Sequence, residues 1–246
     1  IYKLAKESGA FVYLDMEDYH FKDMVLAVFK ETLLEEEFKN WGDAGIVIQA
    51  YLKDSEEDLI GIVEWAKLRK TPISIRLVKG AYWDSETIIS KQKRWECPVF
   101  SHKYESDVNY EKLTKILIDN YPYVYPAIAS HNIRSLSYAK AYAEKVSLPK
   151  GAMEYQFLYG MADPIKEAFV EMGERVRVYS PCGEMLPGMA YLVRRLLENT
   201  ANDSFLKQGF ADGVDEDKLL KNPSRELRSE ICERQTANHY FYNEPD

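Results

Sequence analysis

The chain has 246 residues, 46% of them hydrophobic, with 40 acidic against 32 basic side chains and a net charge of −8. That size and apolar content suit one large α/β domain or two small ones, while the negative balance argues against a nucleic-acid binder, whose surface must neutralise phosphate. Three widely spaced cysteines, Cys97, Cys182 and Cys232, give neither a disulfide framework nor a zinc site, and no apolar run approaches the ~20 residues of a membrane span.

In chain order, short β-branched runs alternate with longer amphipathic stretches. Strands are expected at 11–14, 45–51, 73–78, 125–130, 153–158 and 176–179, and helices near 18–39, 55–69, 107–119, 134–147, 163–172 and 187–199. This repeated βα pattern predicts a parallel sheet with helices outside it. The strand runs are nearly continuous in apolar residues, as when both faces are buried. After Phe205 the pattern changes: 206–224 reads as polar loop, 225–234 as a short charged helix, and the tail to Asp246 as extended linker. The chain opens on Ile1 rather than Met, so a piece of a longer polypeptide is expected. Its cysteine usage fits a reducing cytoplasm.

Polar residues gather where each strand ends: Asp15 and Glu17, Gln49, Arg76 and Lys79, His131 and Asn132, Gln156, and Tyr179. In parallel α/β folds, side chains at the carboxyl ends of strands converge on one site. Six such ends favour a barrel over an open sheet, although a barrel needs eight strands. Neither a dinucleotide-binding glycine fingerprint nor a phosphate-binding P-loop is present.

Three segments carry candidate chemistry. In Arg76-Leu-Val-Lys79-Gly80-Ala81-Tyr82-Trp83, two near-bare residues let backbone lie close to a flat ligand between cations and aromatic walls. The same residues also make an ordinary βα loop. Ser130-His131-Asn132 could donate to a phosphate or a ring carbonyl, or His131 could be satisfied by a neighbouring backbone carbonyl. On a helix, Tyr191, Arg194, Arg195 and Glu198 share one face. Paired guanidiniums there are a clamp for a small carboxylate, or a solvated ion pair. Glu17 and Asp18 read as caps for the following helix, Asp15 as a strand-end carboxylate able to hold an arginine, and Cys182 as inert. No histidine pair has metal-ligand spacing.

Taken together, these motifs resemble the proline dehydrogenase family, above all the proline dehydrogenase domains of bifunctional proline utilization A proteins. The resemblance runs from about Phe11 to Phe205 and is most specific in Arg76–Glu86 and Tyr191–Asn199; Ile48–Tyr51, Ser130–Asn132, Tyr155-Gln156 and Gly160-Met161 fall in the family's order. It implies a TIM-like (βα)8 barrel of the proline dehydrogenase type holding FAD, of which this chain carries about six βα units, strands three to eight, within 1–205. The glutamate and lysine that the family's first two strands bring to the site have no counterpart here. Residues 206–246 then look like loop, short helix and linker toward an aldehyde dehydrogenase domain in the same polypeptide.

The resemblance also assigns roles. Arg194 and Arg195 look like the pair that binds the carboxylate of L-proline, with Tyr82, Leu158, Tyr179 and Tyr191 around its ring. Asp15, Arg76 and Tyr179 match catalytic positions. Gln49, Arg76, Val78, Lys79, Gly80, Ala81, Trp83, Ser101, Lys103, His131, Asn132, Gln156 and Glu198 match FAD contacts; no metal is implied. The implied reaction is hydride transfer from L-proline to flavin N5, giving Δ1-pyrroline-5-carboxylate, with electrons passed to a membrane quinone by a cytoplasmic enzyme peripheral at the inner face of the membrane. Two alternatives stay open: a Schiff-base aldolase or lyase using Lys79, and a non-catalytic carboxylate-binding domain.

Overall fold

Six strands pair in parallel in the order in which the chain makes them, in a computed structural model that describes residues 1–186, 188, 189, 191, 193 and 220–228. The elements are α1 (Tyr2–Ser8), β1 (Val12–Leu14), a 3-10 turn (Tyr19–Phe21), α2 (Lys22–Leu34), β2 (Ala44–Gln49), α3 (Ser55–Arg69), β3 (Ile73–Val78), α4 (Trp83–Lys93), α5 (Lys103–Asp119), β4 (Val124–Ala129), α6 (Ile133–Lys145), β5 (Glu154–Leu158), α7 (Asp163–Glu171) and β6 (Arg175–Tyr179). All six expected strands are present.

The strand order never reverses, so the sheet lacks the switch point at which a doubly wound sheet binds its ligand. Successive crossovers of one hand put the helices on one face, and the sheet curls round its other face into part of a barrel. Strand alternation separates the two faces. Ile46, Ile48, Ile73, Ile75, Leu77, Val124, Ile128, Tyr155 and Phe157 pack outward against Phe29, Leu33, Leu59, Ile62, Leu113, Leu117 and Leu136 of the helices. The intervening residues of each strand turn inward, and the register aligns them: Val47 with Arg76, Arg76 with Ala127, Ala127 with Glu154, and Gln156 with Arg177.

Three local features depart from expectation. Residues 83–93, where no helix is expected, form α4. Helix α5 starts at Lys103 rather than 107, because a capping box at His102 satisfies its first turn: the His102 N–H donates to Glu105 Oε2 at 2.8 Å. The amphipathic stretch from 18 splits into a 3-10 turn and α2, which ends at Leu34. Asp18 does cap, accepting from the His20 N–H at 2.9 Å, but Glu17 does not; its carboxylate accepts from the Tyr82 hydroxyl at 3.2 Å. Past β6, the described residues among 185–193 are helical, and so are 223–228.

Candidate active site

The inner face becomes polar toward the carboxyl ends of the strands, and Arg76 lies at its centre. Its guanidinium is ion-paired with Asp15, which follows β1, and sits 4.9 Å from the centroid of the Tyr13 ring. Burial lowers the Arg76 pKa, and Tyr13, Tyr179, Tyr191 and Glu154 lie close enough to oppose that shift. Its Nε is buried without a hydrogen-bond partner among the described residues. A held, desolvated cation of this kind stabilises negative charge that develops beside it. Tyr179 closes β6, and its ring lies 5.5 Å from that of Tyr191 on the following helix. One corner of the barrel mouth thus joins Asp15, Arg76, Tyr179 and Tyr191.

Beneath and beside Arg76 the inner face carries amides and small side chains. Gln49 and Val78 are register partners on β2 and β3, and Ala129 and Gln156 on β4 and β5. The Gln49 amide reaches the Met16 carbonyl at 3.5 Å. Gln156 donates to Glu154, whose carboxylate is gripped by Arg177 through Nε at 2.9 Å and Nη2 at 3.1 Å. Leu158, the last residue of β5, shares the inner face with Gln156.

The β3–α4 turn brings its residues to different places. Gly80 has φ 124°, and a Cβ there would fall 2.3 Å from the Tyr51 ring, so backbone and ring are in direct contact. Ala81 and Tyr82 follow, with Tyr82 reaching Glu17. Lys79 turns the other way. Its ammonium pairs with Asp107 on α5 and lies 5.6 Å from the Tyr110 ring centroid, between the sheet and the helices. A Schiff-base lysine must face its substrate, and this one does not. Trp83 sits on the rim, its indole N–H donating to the Phe100 carbonyl at 2.8 Å. Ser101 and Lys103 are exposed at the start of α5.

At the end of β4, Asn132 caps α6 by accepting from the Ser135 N–H at 3.2 Å. His131 stacks on Phe157, and its Nε2 accepts from the Leu158 N–H at 3.1 Å. In the neutral ring that leaves the proton on Nδ1. Arg194, Arg195 and Glu198 lie outside the described residues. Among the described residues, no group of three or more His, Cys, Asp or Glu could hold a metal, and no helix is long and apolar enough to cross a membrane.

Several residues of this region were not singled out from sequence. Tyr13 packs under Arg76 and bonds Ser74 at 2.5 Å between hydroxyl oxygens. Glu154 and Arg177 sit beside Gln156, and Glu86 accepts from the Tyr19 N–H at 3.1 Å. For Glu154 the signal was available: it shares strand parity with Gln156 inside an otherwise apolar run.

A family profile described as proline dehydrogenase matches residues 1–208. A crystal structure of proline utilization A from Bdellovibrio bacteriovorus, inactivated by N-propargylglycine, superposes with a TM-score of 0.89 at 54% identity, covering 92% of this chain and 24% of that one. The bifunctional protein PutA of Escherichia coli is 33% identical over 89% of this chain and 17% of its own length. Proline dehydrogenase 1 of Bacillus subtilis is 30% identical over 85% of this chain and 61% of its own. The chain thus spans less than two thirds of these relatives, yet the matched stretch includes every strand and each of the described side chains around Arg76. The chain belongs to the proline dehydrogenase family.

Proposed function

We propose that this chain forms six of the eight βα units of the barrel of an FAD-dependent proline dehydrogenase, which oxidises L-proline to Δ1-pyrroline-5-carboxylate. The observation that carries the reading is the buried Arg76 guanidinium, held by Asp15 beside Tyr179 and Tyr191 at the barrel mouth, in a chain of this family. The inner face also fits the cofactor. A flat ring with alternating hydrogen-bond donors and acceptors needs apolar floor flanked by amides and a cation. Val78 and Ala129 are small, Gln49 and Gln156 flank them, and Arg76 Nε has no partner among the described residues.

FAD bound there would supply the hydride acceptor, at N5, with a quinone as the final electron acceptor. The chain's own residues place and polarise. Arg194 and Arg195 bind the proline carboxylate, and Tyr82, Leu158, Tyr179 and Tyr191 enclose its ring. Asp15 fixes the direction of the Arg76 guanidinium, which stabilises negative charge on the reduced cofactor. Gly80, Ala81, Trp83, Ser101, Lys103, His131, Asn132 and Glu198 hold the remainder of FAD. Lys79 contributes through its ion pair with Asp107, which anchors the Gly80 turn. Residues 206–246 lead toward an aldehyde dehydrogenase domain, and the enzyme works in the cytoplasm at the inner face of a membrane, where the quinone resides.

The full-length protein is expected to purify with flavin absorbance and to reduce a soluble quinone analogue only when L-proline is present. Arg195→Met should abolish proline oxidation while the flavin stays bound. Normal turnover in that variant sinks the clamp assignment, and a colourless protein that binds no FAD sinks the whole reading.

A further inference from the structure

We propose that Glu154 and Arg177 are positioning residues that fix which end of the Gln156 amide faces the cofactor, so that Gln156 offers the flavin ring a hydrogen-bond acceptor. The inference rests on the flavin reading above.

Glu154 and Gln156 lie two residues apart on β5 and therefore on the same, inner, face, with Glu154 the deeper of the two. Both are 6% exposed. Arg177 on β6 is the register partner of Gln156 and reaches back to Glu154 with two parallel N–H donors, at 2.9 and 3.1 Å. Arg175 adds a third contact to the same carboxylate at 3.2 Å. A bidentate fork fixes both the position and the rotation of the carboxylate.

That carboxylate has no hydrogen to give. Whichever end of the Gln156 amide meets it must be the NH2 end, and the hydrogen bond between them runs in that direction. The two ends of an amide look alike by shape, so chemistry decides the orientation. With its nitrogen committed to Glu154, Gln156 has its carbonyl oxygen as the end left to meet a ligand at the barrel mouth. The ring of oxidised flavin has a single N–H, at N3, flanked by two carbonyls. An amide free to rotate could serve either kind of group. One whose nitrogen is committed matches the N3–H.

The partners of Glu154 are also unequal, which argues for a role beyond simple pairing. Glu154 is 7% exposed at its side chain, while Arg175 and Arg177 are 57% and 44% exposed. Holding a carboxylate inside a barrel with half-solvated arginines gains little stability. What it does gain is a fixed direction for the neighbouring amide.

The test compares the affinity of the full-length apoprotein for FAD and for FAD methylated at ring N3, which lacks the ring N–H. Wild type should bind the methylated cofactor about tenfold more weakly or worse, as expected when a buried acceptor loses its donor. Glu154→Gln frees the Gln156 amide to rotate and should narrow that ratio to within about threefold. Arg177→Lys, which keeps the charge but loses the fork, should narrow it in the same direction and serves if Glu154→Gln fails to fold. Equal binding of both cofactors by wild type overturns the inference without any variant, as does an unchanged ratio in the foldable variants. Failure of wild type to bind FAD at all is a different outcome, which removes the flavin reading itself.

Discussion

The Arg177 guanidinium lies 5.8 Å from the centroid of the Phe11 ring. Arg177 belongs to the last strand in the sheet and Phe11 to the segment that leads into the first. A flat sheet of six strands, spaced about 4.8 Å apart, would hold them more than 20 Å apart. The contact therefore measures the curl of the sheet, and that curl sets inner-face side chains from distant strands against one another. Arg76 on β3 consequently meets Asp15 beyond β1 and feels Tyr179 on β6.

Asp15→Asn separates function from stability. The Asp15 side chain is 58% exposed, so its pairing with Arg76 contributes no more than about 1 kcal/mol to folding. Its part is to aim a guanidinium. Turnover of L-proline should fall roughly ten- to hundredfold, as when a catalytic contact is misplaced, while urea unfolding changes little. Unchanged turnover refutes the aiming role.

Gly80→Ala should be severe for two separate reasons. The residue holds φ 124°, which an L side chain rarely adopts, and the new Cβ would overlap the Tyr51 ring at 2.3 Å. Backbone strain and overpacking together are expected to cost about 2–4 kcal/mol. Because the Tyr51 and Gly80 turns carry Ala81 and Tyr82 to the barrel mouth, cofactor affinity should fall in parallel. Denaturant unfolding of the apoprotein and a flavin titration read the two effects separately.

Lys22→Met carries a pH signature. Lys22 is 7% exposed and is ion-paired with Asp58 at 2.6 Å and Asp54 at 2.9 Å. Burial alone pulls its pKa down, but hydrogen bonds to Asp58, Asp54 and Asp23 more than offset this, and the pKa stands above its ordinary value. The stability it contributes is therefore complete below pH ~10.5 and is lost as pH rises through the folded-state value. Burial holds the Asp58 carboxyl above its ordinary pKa, with Lys22 opposing that shift. Removing Lys22 strands a buried carboxylate, at a cost of about 3–5 kcal/mol near neutral pH. The deficit should shrink as pH falls from 8 toward 4, because the stranded Asp58 carboxyl, held above its ordinary pKa, is protonated before pH reaches that ordinary value. A difference in unfolding free energy that stays constant from pH 4 to pH 8 contradicts this account.

The sequence by itself determined the six strands, their parallel arrangement, and the convergence of polar residues at their carboxyl ends. Period and apolar run length depend on which faces of an element are buried, and that is a local property; β3 occupies the very residues expected, 73–78. It did not determine partners. Arg76 and Lys79 stand three residues apart as two cations at one strand end, yet Arg76 turns inward to Asp15 and Lys79 outward to Asp107 on α5. Glu17 reads as a helix cap, but the fold carries Tyr82 to it from 65 residues away. Glu154 reads as one polar residue in an apolar run, until the pairing of β5 with β6 places Arg177 against it. Each of these choices is an ion pair or hydrogen bond between residues far apart in the chain. Such bonds act over a few ångströms, so only the curl of the sheet and the docking of α5 decide which groups come that close.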